Sequence, residues 1–173
     1  MIIGVPKEIV TGENRIAVTP GAVKVLINAG HKVLIETGAG EGSMIEDNQL
    51  AYSGAEIVSD VQEIYHRAEM IYKVKEPQPS EYDLLRRGQI LFAYLHLAAA
   101  PEVTRVLMDK KVIAVAYETV MVDGTLPMLV PMSEIAGRMA TQIGAHFLER
   151  SNGGKGLLLG GVPGVTPAEV VIL

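Results

Sequence analysis

Six short apolar runs, separated by amphipathic stretches, constrain this chain more than any other feature of its sequence. The runs are "IIGV", "KVLIE", "AEIV", "MIYKVK", "QILFAYL" and "VIAVAY". Apolar runs of four to seven residues bounded by turn residues read as strands buried on both faces, and helices between them supply the crossovers that parallel strands need. The helical stretches carry their own punctuation. In "TPGAVKVLINAG", Thr19 is placed as the N-cap, Pro20 at the first helical position, Val23, Leu26 and Ile27 on one face, and Gly30 just past the end. A short helix is expected near "DNQLAYSG". Ser59 and Gln62 form a capping-box signature before "VQEIYHR", and Ser80 is expected to cap a helix closed by Gly88. Pro101 opens "PEVTRVLMDKK". This order predicts an α/β fold: a doubly wound, mostly parallel sheet, flavodoxin-like or Rossmann-like, with helices on both faces.

After "MVDGTLP" the pattern changes. "SEIAGRMATQIGAHFLER" reads as one long helix rich in small residues, "SNGGKG" as a flexible break, and "AEVVIL" as a further buried strand. The expected organisation is a first domain over residues 1–128. A linking helix and the first strand of a second domain follow over 129–173.

Composition narrows the function classes. With 49% hydrophobic and 20% charged residues, the 173-residue chain can bury a core. A net charge of −5 argues against a general nucleic-acid or anionic-membrane binder. The absence of cysteine excludes disulfides and thiolate chemistry. No run approaches a membrane span, and "MIIGVPKEIV" lacks the pattern of a signal peptide, so a cytoplasmic protein is the expectation.

In open α/β sheets, ligands bind beyond the carboxyl ends of the strands. That rule selects Arg15, Lys75, His96 and Glu118, each expected just past a strand on one rim. Arg15 offers a planar fork suited to a carboxylate; the plainer alternative is a surface residue at the sheet edge. Lys75 can polarise a carbonyl or neutralise a carboxylate, although Lys73, two positions earlier, competes for the assignment. His96, between an apolar strand and "LAAA", is either a hydrogen-bonded buried histidine or a general acid/base. Glu118 can orient a neighbour or ligate a cation, but one carboxylate is not a metal site. His31, His66 and His146 sit at a strand start or on helices and carry less weight. No His/Asp/Glu spacing matches a metal motif. "TGAGEGSMI" holds G-x-G-x-G without G-x-G-x-x-G, which favours a structural turn over a phosphate loop.

Together, "IGVPKEI", "GENRIAVTP", "KVKEPQPSEYDLLRRGQILFAYLHLAA", "AYETV" and "PMSEIAGRMA" resemble the L-alanine dehydrogenases along the whole chain. The related alpha subunit of proton-translocating transhydrogenase shares the opening motif and domain plan. That relative lacks a histidine at the position of His96 and carries an Arg-Gln-Asp-type loop absent here. The resemblance implies an NAD-dependent oxidoreductase that interconverts L-alanine with pyruvate and ammonium. It implies that Arg15 holds the substrate carboxylate, that Lys75 rather than Lys73 is the substrate lysine, that His96 is the catalytic histidine, and that Ser133 lies near the cofactor. It also implies a soluble homo-oligomer, commonly a hexamer. In such enzymes the strand matching "AEVVIL" runs into the dinucleotide loop, and an aspartate from that later domain completes the active site. The 173-residue chain has no position for that aspartate and is expected to be inactive alone. The other expectation carried forward is a non-catalytic domain that binds small carboxylates or associates with other subunits.

Overall fold

Residues 1–171 are described by a computed structural model, and Ile172 and Leu173 lie outside the described residues. The chain divides into two compact units, Met1–Gly124 and Thr125–Leu173. In the first unit, six parallel strands form one sheet: β1 (Ile2–Val5), β2 (Lys32–Glu36), β3 (Glu56–Val58), β4 (Met70–Tyr72), β5 (Ile90–Ala93) and β6 (Ile113–Ala116). Their spatial order is β3-β2-β1-β4-β5-β6. Of the two arrangements the sequence allowed, this is the Rossmann order. The strand sequence reverses between β1 and β4, which is where open α/β sheets form a ligand crevice.

Four helices of this unit provide the crossovers: α1 (Pro20–Asn28), α2 (Asp47–Tyr52), α3 (Val61–Arg67) and α4 (Pro101–Lys110). The first begins as its sequence dictates. Thr19 Oγ accepts the Ala22 N–H, Pro20 occupies the first turn, and Gly30 takes a positive φ of 84° just past the end. Its Val23, Leu26 and Ile27, with Leu50 of α2, seal one face of the sheet over Ile3, Val5, Val33 and Ile35. On the other face, Ile64 and Tyr65 of α3 and Val103 and Leu107 of α4 pack over Leu34, Ile71, Leu91 and Ala93. Gly4 explains how closely α3 lies on β1. A Cβ there would stand 2.6 Å from Ile64 Cγ2 and 2.8 Å from Ala68 Cβ, so only glycine fits under this helix.

Several local expectations shift. The N-cap of α3 is Asp60, whose carboxylate accepts the Gln62 N–H at 2.9 Å, so the expected Ser59–Gln62 capping box does not form. The charged acceptor one residue later captures the helix start. Likewise Ser80 is not a cap. Pro79 opens a 3₁₀ helix, Pro79–Leu84, whose cap is the preceding Gln78 in a reciprocal box with Glu81. Strand β4 ends at Tyr72, not Lys75. From Lys73 to Val74 the chain stays bonded to β5 through Lys73 N–H to Phe92 O and Tyr94 N–H to Val74 O, but outside a regular ladder. Helices lie on both faces, yet no helix of this unit covers β4–β6 on the α1/α2 side. There Tyr72 and Phe92 stack with ring centroids 5.3 Å apart, and Tyr117 meets Phe92 edge-on at 4.4 Å.

The second unit is built on α5 (Val130–Leu148), three residues longer at its start than "SEIAG" suggested. Ile135, Met139, Ile143 and Phe147 recur along it and are exposed. The helix is followed by a 3₁₀ turn, Arg150–Asn152, and a tight bridge between Val162 and Val165. The expected closing strand is not formed by its described part: Val170 and Val171 have no ladder partner and are 54% and 74% exposed. Among the described residues no strand of this unit offers them an edge. The rest of that expected strand, Ile172 and Leu173, lies outside the described residues. No helix among the described residues is long and apolar enough to cross a membrane.

Candidate active site

The four rim residues follow neighbouring strands of the sheet. Arg15 lies in the loop after β1, Lys75 follows β4, His96 follows β5 and Glu118 follows β6, in the spatial order in which those strands stand. Because all six strands are parallel, the four segments leave by the same edge, with adjacent strands about 4.8 Å apart.

The structure separates the two lysines. Lys73 is fully buried, with Nζ donating to Glu81 Oε1 at 2.8 Å and standing 3.3 Å from Glu8 Oε2. Tyr65 adds a 2.8 Å hydrogen bond to Glu81 Oε1, burial keeping its phenol well above the ordinary tyrosine range and therefore a donor. The Lys73 carbonyl accepts from Tyr117 Oη at 2.6 Å. Lys73 is thus committed to structure, a paired charge that makes burial tolerable. Lys75 is half-buried, and among the described residues its ammonium has no carboxylate within ion-pair distance. Glu8 connects the two: its Oε1 accepts the main-chain N–H groups of Val74 and Lys75 at 2.5 and 3.3 Å. Burial raises the Glu8 carboxyl above its ordinary value, opposed by the Lys73 charge.

Arg15 is half-exposed and already oriented. Its Nε and Nη2 donate to Glu13 Oε1 and Oε2 at 2.8 and 2.6 Å, a bidentate pair with a carboxylate only 9% exposed. Its main-chain N–H also donates to Glu13 Oε1, at 3.0 Å. The guanidinium has five N–H donors, and this pair leaves three of them for another carboxylate. The hydrogen bond from Arg15 holds Glu13 below the usual carboxylate range, with the Lys75 charge acting in the same direction. Arg15, Glu8 and Glu13 line one concavity of about 230 Å³ with Lys7, Asn14 and Glu41.

His96 is exposed and adopts the left-handed region at φ 48°, unusual for a non-glycine residue and costing roughly 1–2 kcal/mol. Glu118, half-buried, offsets that cost. Its Oε1 accepts the N–H groups of Leu95 at 3.1 Å and His96 at 2.5 Å, and hydrogen bonds to a charged acceptor contribute about 1.5–3 kcal/mol each. The His96 ring stacks on Tyr94 with centroids 6.5 Å apart. His96 and Glu118 line a second concavity of about 320 Å³ with Leu97, Ala98, Ala99 and Thr119. The sheet therefore brings Arg15, Lys75 and His96 to one rim but not into one cavity. Ser133 is in the second unit, exposed on the first turn of α5, with its N–H donating to Leu129 O at 3.0 Å.

Two residues of this site, Glu8 and Glu13, escaped the sequence, as did the structural role of Lys73. The signal available was a lysine inside the apolar run "MIYKVK", which demands a buried carboxylate from elsewhere. Among the described residues no group of three His, Asp or Glu side chains stands ready for a metal ion. Nor does the Gly-rich loop after β2 form a dinucleotide cradle. There Asp47 takes up the Gly38 N–H and the Thr37 hydroxyl, so that loop is a closed turn.

Comparison with known proteins gives this geometry its family. Residues 4–136 match the sequence family described as alanine dehydrogenase/PNT, N-terminal domain, and residues 140–173 match the corresponding C-terminal domain. An alanine dehydrogenase of Methanococcus maripaludis is 59% identical over the whole of this chain, which covers 47% of that relative. A solved L-alanine dehydrogenase superposes with a TM-score of 0.88 at 53% identity, over 96% of this chain and 46% of its own. A transhydrogenase from Sinorhizobium meliloti superposes with a TM-score of 0.64 at 28% identity, over 68% of this chain and 34% of its own. The chain thus spans about half the length of the relatives it matches. On the match over residues 4–136, it belongs to the alanine dehydrogenase/PNT family.

Proposed function

We propose that this chain carries the substrate-side residues of an NAD-dependent alanine dehydrogenase, which interconverts L-alanine with pyruvate and ammonium. The observation that carries this reading is the rim itself: an arginine oriented by Glu13, a half-buried lysine beside its buried neighbour, and a histidine held in a fixed backbone conformation. The higher identity to alanine dehydrogenases than to the transhydrogenase supports the choice within the family.

Each residue has a task its geometry suits. The donors of Arg15 left over from Glu13 take the carboxylate of pyruvate or alanine. Lys75, with no carboxylate within ion-pair distance among the described residues, meets the 2-oxo oxygen and stabilises negative charge there. His96 moves the proton that accompanies loss or addition of water at the 2-carbon, a role suited to imidazole near neutral pH. Holding these groups on strand ends fixes their relative positions before substrate arrives.

Bound in the full-length enzyme, NAD would supply the hydride chemistry that these residues cannot. The described residues do not themselves fit a dinucleotide, so we assign that site to the portion of the relatives that this chain does not span, with Ser133 beside it. We assign residues 1–128 to the substrate domain and 129–173 to the link into the cofactor domain. The whole enzyme is read as a cytoplasmic homo-oligomer.

The test is NADH oxidation by the full-length protein carrying this chain, with pyruvate and ammonium. Turnover requiring both substrates is expected. NADH-independent pyruvate binding without turnover would favour the non-catalytic, carboxylate-binding reading.

A further inference from the structure

Each basic residue of the rim has a carboxylate behind it, and in every case the contact is made with that residue's own main chain. Glu13 accepts the Arg15 N–H at 3.0 Å, Glu8 accepts the Lys75 N–H at 3.3 Å, and Glu118 accepts the His96 N–H at 2.5 Å. The three carboxylates come from two places. Glu8 and Glu13 lie in the loop after β1, and Glu118 follows β6, 22 residues from His96. A carboxylate aimed at a main-chain N–H fixes where the backbone stands, and so where the side chain begins.

We propose that Glu118 and Glu13 are positioning residues for the reaction: Glu118 holds His96 in its left-handed conformation, and Glu13 holds the Arg15 guanidinium at the angle that receives the substrate carboxylate. This rests on the roles proposed above for His96 and Arg15. The geometry makes the two assignments distinct. Glu118 reaches two successive N–H groups, Leu95 and His96, and a non-glycine residue keeps φ 48° only where its surroundings require it. Its grip is on the backbone, and the imidazole inherits its direction. Glu13 takes one main-chain and two side-chain donors of the same residue, Arg15. Its grip is on the guanidinium plane itself, with Nε and Nη2 each donating to it. Glu8 fits the same pattern for Lys75 but also faces buried Lys73, so substituting it confounds positioning with folding.

The difference predicts a split in kinetics that loss of fold would not produce. In the full-length protein carrying this chain, Glu118→Ala should lower kcat for pyruvate amination about tenfold or more, with KM for pyruvate within about twofold of wild type. Glu13→Ala should instead raise KM for pyruvate about tenfold with a smaller change in kcat. Glu118→Gln keeps an amide oxygen for the same two N–H groups and should recover most of the kcat lost in the alanine variant. Equal effects of the two alanine variants, the reversed split, wild-type kinetics in either, or a Glu118→Gln no better than Glu118→Ala overturns the proposal. His96→Ala, measured alongside, separates the two levels. Normal turnover there overturns the functional reading, whereas lost turnover there with normal Glu118→Ala kinetics overturns only the positioning role.

Discussion

One row of side chains crosses five of the six strands in register, and its two ends live in different surroundings. Val33, Ile3, Met70, Ile90 and Ile113 are successive partners from β2 to β6 on the same face. Val33 and Ile3 are each 1% exposed under α1 and α2, whereas Ile113 is 53% exposed. The chemistry of the strands is the same, and what differs is whether a helix of the unit lies above them. The closed half supplies rigidity and, through the loop after β1, Glu8, Glu13 and Arg15. The open half delivers Lys75, His96 and Glu118 at its carboxyl edge. The candidate rim thus straddles the β1–β4 switch point, with Arg15 supplied from the covered half and Lys75, His96 and Glu118 from the open half.

The largest effect is expected where the two halves are tied together. Lys73, just past β4, meets Glu8 from the loop after β1, and Lys73→Met would strand two buried carboxylates. A loss of about 3–5 kcal/mol in urea unfolding is predicted, and a loss under about 1 kcal/mol would mean the pair contributes little. Next comes the row itself. Ile3→Ala should cost about 2–5 kcal/mol and Ile113→Ala less than about 0.5 kcal/mol in this chain, and equal costs would erase the contrast between the halves. Gly4→Ala sharpens the same point. Its Cβ would press on Ile64 and Ala68, and a destabilisation of about 1–3 kcal/mol should follow.

A smaller effect concerns acid. Arg15 lowers the Glu13 carboxyl in the folded state, so the unfolded chain binds that proton more readily. Its contribution is therefore complete above the ordinary carboxylate pKa of about 4.3 and is lost as pH falls through the lowered folded value. Glu13→Gln should be less stable than wild type near neutrality, with the gap closing in acid. A gap that stays constant below about pH 4 would show that the ion pair is not its source.

Much of the closed half was legible because its signals are local. Thr19, Pro20 and Gly30 mark α1 within a dozen residues, and the short apolar runs mark the strands. The failures share a physical cause, in that the deciding partner is distant or competes at short range. Asp60 outbid Ser59 as the cap of α3 because a carboxylate stood one position later. Lys73 could not be told from Lys75 by spacing, since its partners Glu81 and Glu8 lie 8 and 65 residues away. The rim residues Arg15, Lys75 and His96 were visible through the strand-end rule, as was Glu118 with an orienting role, but the supports Glu8 and Glu13 were not. Nothing around "LHLAA" announces a left-handed His96, and the carboxylate that accepts its N–H, Glu118, lies 22 residues on, past β6. Val170 and Val171 are apolar enough for a strand, yet a strand needs an edge to pair with, and the described residues of the second unit hold no strand to offer one.

The central claim is that the rim formed by Arg15, Lys75 and His96 is where an alanine dehydrogenase handles its substrate. Steady-state amination of pyruvate by the full-length protein, comparing wild type with His96→Ala, tests it most directly. The account predicts that kcat falls by about 10²–10⁴-fold with the fold intact by circular dichroism, the range expected for losing a general acid–base group. A folded His96→Ala variant that turns over pyruvate and ammonium at the wild-type rate would contradict it.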